Sequence, residues 1–390
     1  MNPTKFRLLI LTFWFFPQWA IGVTMAGGDP ASVDFRQRYI AICDPALVDL
    51  NGCSERLRNR GVDVSKPLPL IHGLAVSIAA SSPDSIDSIR QIPGILRLDP
   101  DTPHRILGET LTRNIARMGV DQVWDGHTTG RGIRIGILDT GVDAGHRDLR
   151  ENIAGGYDAT GHLDWNDGNG HGTHVAGIVA AVRKNGTGVV GVSPESWIYA
   201  IKVLDNSGSG LTSDIIDGIA WCIHAGCQVM NMSFGSPSYN ASLQEAIRVA
   251  YGAGILIVAA AGDGGSSIAV YPAAYDQVLA VSAIDPSDQI TAWSSYGSDV
   301  DFAAPGVAVY STYKNDSYAT LSGTSASSPL LAGLAALRIA VYTAHNMAVS
   351  PDRITRDLVR SAGDLGSAGW DAYYGYGLVD ANILVELPLY

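Results

Sequence analysis

The sequence predicts an α/β protein: a three-layer αβα body with a mostly parallel central sheet, preceded by a small α+β unit. Three observations predict it. Short apolar runs recur at Ile133–Leu138, Trp197–Leu204, Gln228–Met232, Ile255–Ala260 and Val278–Ala283. They show little of the alternation expected of half-exposed strands, so both faces are buried. Stretches with helical spacing at 211–225 and 241–252 lie between them, which is the rhythm of strand, crossover helix and parallel strand. Last, a small-residue turn, Ser322-Gly323-Thr324, runs into a long apolar helix over Ser325–Thr343.

Residues 1–26 read as a secretory signal. Lys5 and Arg7 make a basic start, Leu8 to Val23 is apolar, and Thr24-Met25-Ala26 is a small-residue cleavage site. A retained anchor is the alternative, but Pro17 and Gln18 interrupt a run already short of the about 20 residues a span needs. Cleavage would leave the protein secreted, extracellular or periplasmic, with no stable membrane insertion. Residues 27–108 form the small unit. It begins with a polar linker and continues from Tyr39 to about Arg105 as strand, helix, strand, helix, strand. Ala75–Ala79 and Gly94–Leu98 alternate as strands, and Ser82–Gln91 has helical spacing. Residues 109–390 form the main domain. Residues 107–125 read as one short helix across that boundary. The tail holds one more amphipathic helix after Ser350 and a Gly/Tyr turn at Tyr373–Gly377.

Composition narrows the function. With 390 residues, 46% apolar and 16% charged, the chain is globular and long enough for a large core. A net charge of -12 argues against nucleic acid or an anionic membrane as partner. Four cysteines fall into two local pairs, Cys43/Cys53 and Cys222/Cys227. In an exported chain each pair can bridge, and buried free thiols are the equal alternative.

Three segments carry chemistry. Ser325 opens a helix, where free N–H groups and the positive end of the dipole favour negative charge beside its oxygen. That suits a nucleophile, although serine before a helix is usually only a cap. Asp139 ends a predicted strand, where a fixed carboxylate can orient an imidazole. His171 opens a helix after Asp167-Gly168-Asn169-Gly170, placed to shuttle a proton. A zinc pair of His171 and His174, with His162, is the rival; it lacks an HExxH arrangement.

Together, in the order Asp139, His171, Ser325, these residues resemble the triad of subtilisin-like serine peptidases, the subtilases. Ile137–Val142, His171–Gly177, Asn231–Gly235, Ala260–Gly262, Tyr271–Ala283, Ala304–Gly306 and Ser322–Gly333 all follow that family's pattern, and Asp167–His171 is most similar to the proteinase K branch. The resemblance implies a secreted endopeptidase acting on proteins or peptides. Ser325 would be the nucleophile, His171 the general base and then acid, and Asp139 the orienting carboxylate. Ser233-Phe234-Gly235 and Gly208-Ser209-Gly210 would flank extended substrate as added strands. Residues 40–105 resemble an inhibitor propeptide, an intramolecular partner that the protease cuts off between about 102 and 111. The family needs no catalytic cofactor. Asp148 and Asn185 match side-chain ligands of a structural calcium site found in many members.

The pattern breaks at Asp263, where the family carries the oxyanion-hole asparagine. An amide donates a hydrogen bond and an ionised carboxylate cannot. Either Asp263 is protonated in its pocket and donates, as the resemblance to the acid-active sedolisins suggests, or the protein is a weak or inactive subtilase that binds peptides. The first reading expects activity that rises as pH falls until His171 protonates. Ala326 and Leu330-Leu331 also depart from the family, as buried apolar swaps. Gly264 stands where subtilisin has an acid, so an apolar or broad P1 preference is expected. An esterase using the same triad is a third reading.

Overall fold

The computed structural model describes residues 36–79, 86–101, 109–161 and 164–389. The signal at 1–26, His162, and the expected propeptide cleavage segment up to residue 108 lie outside them. The chain divides into two compact units, 1–106 and 107–390.

The first unit holds β1 (Arg36–Cys43), α1 (Leu50–Arg58), β2 (Asp63–Leu68), β3 (Gly73–Ala79), α2 (Ile86–Arg90) and β4 (Ile95–Pro100). Its antiparallel sheet runs β2-β3-β1-β4. Leu57, Leu74, Val76, Ile89 and Leu98 pack beneath it. Cys43 and Cys53 form a disulfide that joins the end of β1 to α1. The sequence pattern missed β2, because Asp-Val-Ser-Lys-Pro-Leu lacks alternating apolar residues and most of the strand is exposed. It forms by backbone pairing to β3.

The second unit opens with α3 (Arg113–Arg117) and α4 (Val120–Val123), not with the single helix read over 107–125. Gly119 divides them, with a φ of 67° that a continuing right-handed helix cannot use. Then follow β5 (Arg134–Asp139), β6 (Ile153–Asp158), α5 (His171–Ala180), β7 (Trp197–Lys202), α6 (Thr212–His224), β8 (Val229–Met232), α7 (Ala241–Gly252), β9 (Leu256–Ala260), β10 (Val278–Ile284) and β11 (Val300–Pro305). The hairpin of β12 (Val309–Tyr313) and β13 (Ser317–Leu321) leads to α8 (Thr324–Ala344). The chain closes with α9 (Pro351–Ser361), β14 (Ala362–Gly363), β15 (Leu378–Val379) and α10 (Ala381–Glu386).

The seven-stranded sheet runs β11-β10-β9-β8-β5-β7-β6, with every neighbouring pair parallel. Burial on both faces explains the continuous apolar runs. Ile135 and Ile137 of β5 face one core with α5 and α8, while Leu138 faces the other with α6 and α7. In β9, Leu256 and Val258 divide from Ile257 and Ala259 in the same way. α8 is long and apolar enough to cross a membrane, yet 89% of its most apolar window is buried, so it is the central core helix.

This topology positions the site. Strand order reverses at β5 and β8, and ligand crevices in such sheets open at the carboxyl ends of strands beside a reversal. Asp139 is the last residue of β5, Ser233–Gly235 follow β8, and Ala261–Asp263 follow β9.

Candidate active site

The site grows from two helix N-termini. α5 begins at His171 after Gly170, whose φ of 111° lies in the region that favours glycine. A β-carbon there would lie 2.2 Å from the ring of Tyr313. The turn before it is wrapped around Asp167, which is almost fully buried. Asp167 Oδ1 accepts hydrogen bonds from Thr140 Oγ1 (2.9 Å), Asn169 N (2.9 Å) and Gly170 N (2.7 Å). Its Oδ2 accepts from Thr173 N (2.9 Å) and Thr173 Oγ1 (2.6 Å). One carboxylate thus caps α5 and ties it to the residue after Asp139.

That places His171 against Asp139. His171 Nδ1 lies 2.7 Å from Asp139 Oδ1, which also accepts from Thr140 N at 2.7 Å. A bond to a carboxylate requires that nitrogen to donate, which leaves Nε2 on the far side of the ring. Asp139 is 0% exposed, and its Oδ2 is buried without a hydrogen-bond partner. The His171 ring keeps 29% of its side-chain surface open. Burial works against its charged form, but the Asp139 charge and hydrogen bond, then the charges of Asp167 and Asp263, outweigh it and raise its pKa. Lys202, buried and with its own pKa lowered first by burial, donates to Thr140 O (2.6 Å), Leu204 O (2.9 Å) and Asn206 Oδ1 (3.1 Å). It supplies positive charge behind the two aspartates.

His174 faces away from this cluster. Its Nε2 donates to Val309 O at 3.0 Å, and burial lowers its pKa to about 4. The zinc alternative therefore finds His171 turned to Asp139 and His174 turned to the hairpin.

α8 begins at Thr324 after Gly323, with Ser325 second. A β-carbon on Gly323 would lie 2.9 Å from Ser325 Oγ and 2.9 Å from Asp263 Oδ2, so glycine there lets those two groups face a shared space. Asp263 Oδ1 accepts from Thr324 N and Thr324 Oγ1, both at 2.8 Å, and Thr324 Oγ1 in turn accepts from Gly262 N at 3.0 Å. The expectation of a pocket around Asp263 is corrected: the residue is exposed, and its bonded oxygen acts only as an acceptor. Pro329 has no N–H for the Ser325 carbonyl four residues earlier. Ser233 Oγ donates to that carbonyl instead, at 3.0 Å, while accepting from Asn231 Nδ2 at 2.8 Å. The Ser233 side chain is therefore buried under the start of α8, which leaves only its backbone for the expected pairing with substrate.

Phe234 and Gly235 do line a cleft, and Gly208, Ser209 and Gly210 line its opposite side. They share one cavity of about 400 Å³ with Tyr239 and Tyr271. A cavity of about 450 Å³ between Leu111, Pro305 and Tyr310 contains none of the three triad candidates.

Asp148 and Asn185 also meet. Asn185 Nδ2 donates to Asp148 Oδ1 at 2.6 Å, and Val189 N and Tyr318 Oη donate to Oδ2 at 2.8 and 3.3 Å. Glu109 Oε1 accepts from Asn185 N at 2.6 Å. These oxygens are closed on N–H and O–H donors, and no group of three or more His, Cys, Asp or Glu side chains converges as a metal site among the described residues.

Sequence reading missed the roles of Asp167, Lys202 and Thr324. Asp167 carried a signal, since an aspartate before Gly-Asn-Gly and a helix is the composition of a side-chain-capped turn. Lys202 carried none, being one cation at the end of an apolar strand.

Comparison with known proteins identifies the family. Residues 130–377 match the Subtilase family model. The chain is 43% identical over 283 residues to subtilisin DY of Bacillus licheniformis, covering 71% of this chain and 100% of that one. It is 35% identical over 353 residues to the thermostable alkaline protease of Halalkalibacterium halodurans, covering 90% and 93%. It is 45% identical over 217 residues to thermitase of Thermoactinomyces vulgaris, covering 55% and 77%. The chain belongs to the subtilase family of serine endopeptidases.

Proposed function

We propose that this subtilase is a secreted endopeptidase working through Asp139, His171 and Ser325, and that it is made as a zymogen. The observation that carries the reading is the 2.7 Å contact from His171 Nδ1 to Asp139 Oδ1, made at the start of α5. Ser325 Oγ attacks the peptide carbonyl while His171 Nε2 takes its proton. His171 then protonates the leaving amine, giving an acyl-enzyme that water hydrolyses by the same steps. Asp139 holds the tautomer and stabilises the imidazolium. The oxyanion forms at the N-terminus of α8, beside Asp263. Extended substrate lies between 208–210 and the backbone of 233–235.

Asp263 sets the pH behaviour. Ionised, it opposes the oxyanion; protonated, it can donate to it. Catalysis then needs Asp263 neutral and His171 neutral together. The raised His171 pKa narrows that window from the acid side. This reading expects an acid-shifted optimum, which the raised His171 pKa opposes by setting its acid limit. Because Asp263 is exposed and accepts hydrogen bonds from Thr324, an inactive peptide-binding subtilase is the second reading.

In the zymogen, residues 27–108 act as an inhibitor that the protease cuts between about 102 and 111. Intact mass measured at pH 5 and pH 8, beside Ser325→Ala, tests the proposal. Cleavage in that window by the parent alone, faster at pH 5, supports it. No cleavage by a folded parent at either pH moves the assignment to the binding module. Calcium at Asp148 and Asn185 is tested separately: an unchanged Tm in EDTA removes it.

A further inference from the structure

Cys222 and Cys227 are free in the structure and buried, and neither belongs to the catalytic cleft. Their placement follows from how α6 ends. Gly226 takes a left-handed φ of 68° after the cap residue Ala225. Cys227 N donates to Cys222 O at 3.1 Å, and Gly226 N donates to Ile223 O at 3.1 Å. This is a Schellman motif, and in it the side chains six residues apart, counted inclusively, meet across the helix end. The two positions that meet are both cysteine. A second observation agrees. On β5, a β-carbon at Gly136 would lie 2.4 Å from Cys222 Sγ and 3.4 Å from Cys227 Sγ, so both sulfurs converge on the bare backbone of the same glycine.

We propose that Cys222 and Cys227 are a dithiol oxidation site, closed to a disulfide when the chain folds in an oxidising compartment. The co-reactant is a disulfide oxidant, either a small-molecule disulfide or a dithiol–disulfide protein. One cysteine thiolate attacks a sulfur of the oxidant and expels a thiolate, leaving a mixed disulfide. The second cysteine thiolate attacks the protein sulfur and expels the other thiolate. One S–S bond forms, two S–H protons are lost, and two electrons pass to the oxidant.

Burial decides when this happens. In the folded chain burial, then the adjacent Cys227 sulfur, pushes the Cys222 thiol well above its ordinary pKa, so little nucleophilic thiolate exists there. The bond therefore forms before α6 packs on the sheet, and a chain folded in the reduced state stays reduced. Once formed, the staple joins the end of α6 to the entrance of β8, behind the strand that carries Asp139.

The full-length Ser325→Ala chain tests this. It is refolded in mixed reduced and oxidised glutathione or in dithiothreitol, then denatured, alkylated with iodoacetamide and mapped by mass spectrometry. The expected result from glutathione is an unalkylated Cys222–Cys227 peptide about 2 Da lighter than its dithiol form. Dithiothreitol should yield two alkyl groups on that peptide. Cys43–Cys53 is the internal control. Both Cys222 and Cys227 alkylated while Cys43–Cys53 is bridged would overturn the proposal. Transferring the reduced, folded chain into the same glutathione buffer should oxidise the pair about 100-fold more slowly than during refolding. Equal rates would overturn the order of events.

Discussion

Two helix starts carry the proposed chemistry of this protein, and each is held by an aspartate: Asp167 in the turn before α5, Asp263 in the loop after β9. Both α5 and α8 follow a glycine, and both place a reactive side chain in the first turn. At α5, Asp167 is buried and both of its oxygens are saturated by five donors. At α8, Asp263 is exposed, and only one of its oxygens is held, by two donors from Thr324. A carboxylate at a helix N-terminus is favourable in either place. What differs is the spare capacity. Asp167 has none and acts as a clamp on the His171–Asp139 geometry. Asp263 keeps one oxygen free beside Ser325, where it meets whatever charge develops there.

Substitutions should separate the clamp from the tuner. The largest effect is expected at Asp167. Asp167→Ala strands five donors, most of them buried, and should cost about 3–5 kcal/mol of stability by denaturant titration. Asp263→Ala, on an exposed residue, should cost under about 1 kcal/mol. Equal losses would break the comparison.

Asp263→Asn comes next and should act on rate. Losing an amide donor at this position costs subtilisin about 10²–10³ in kcat, so restoring one should raise kcat/KM at pH 8 by a comparable factor. The same change removes one of the charges that raise the His171 pKa, so the acid limb of the pH profile should move to lower pH. A variant no faster than the parent at pH 8 would end the oxyanion assignment for Asp263.

His174 bounds how far into acid the enzyme can work. Its folded pKa, about 4, lies below the ordinary value of 6.5. The unfolded chain therefore binds the proton first, and stability present above about pH 6.5 is lost as pH falls towards 4, by about 3 kcal/mol. His174→Gln should flatten the fall of Tm between pH 7 and pH 4. An unchanged slope would mean that other groups drive the acid unfolding.

A smaller effect is expected at Ser233. Ser233→Ala leaves the Ser325 carbonyl without the donor that Pro329 cannot supply, at a cost of about 1–2 kcal/mol. It should also lower kcat more than it raises KM, since the side chain supports the nucleophile and does not line the cleft.

How much of this was legible depended on what each signal needed. Five strands of the parallel sheet and α8 announced themselves through apolar runs, because a doubly covered strand excludes polar residues locally, whereas β11, although buried, was not read. β2 and β6 did not: β2 is largely exposed and β6 is a partly exposed edge strand, so pairing formed them where periodicity was weak. The helix read over 107–125 broke at Gly119, whose φ a composition pattern does not report. Ser233 fell in a recognisable segment, yet its side-chain direction depended on a proline about a hundred residues away.

The sequence by itself determined the fold class and the family and nominated Asp139, His171 and Ser325 as the proposed triad, because these rest on short-range pattern and motif. Only the tertiary structure decided what surrounds them. It buried Asp167 and Lys202 behind the histidine, exposed Asp263 beside the serine, and turned two cysteines towards one glycine of β5. Each of those outcomes depends on groups far apart in the chain, and electrostatic and hydrogen-bond energies follow distance in space, not separation in sequence.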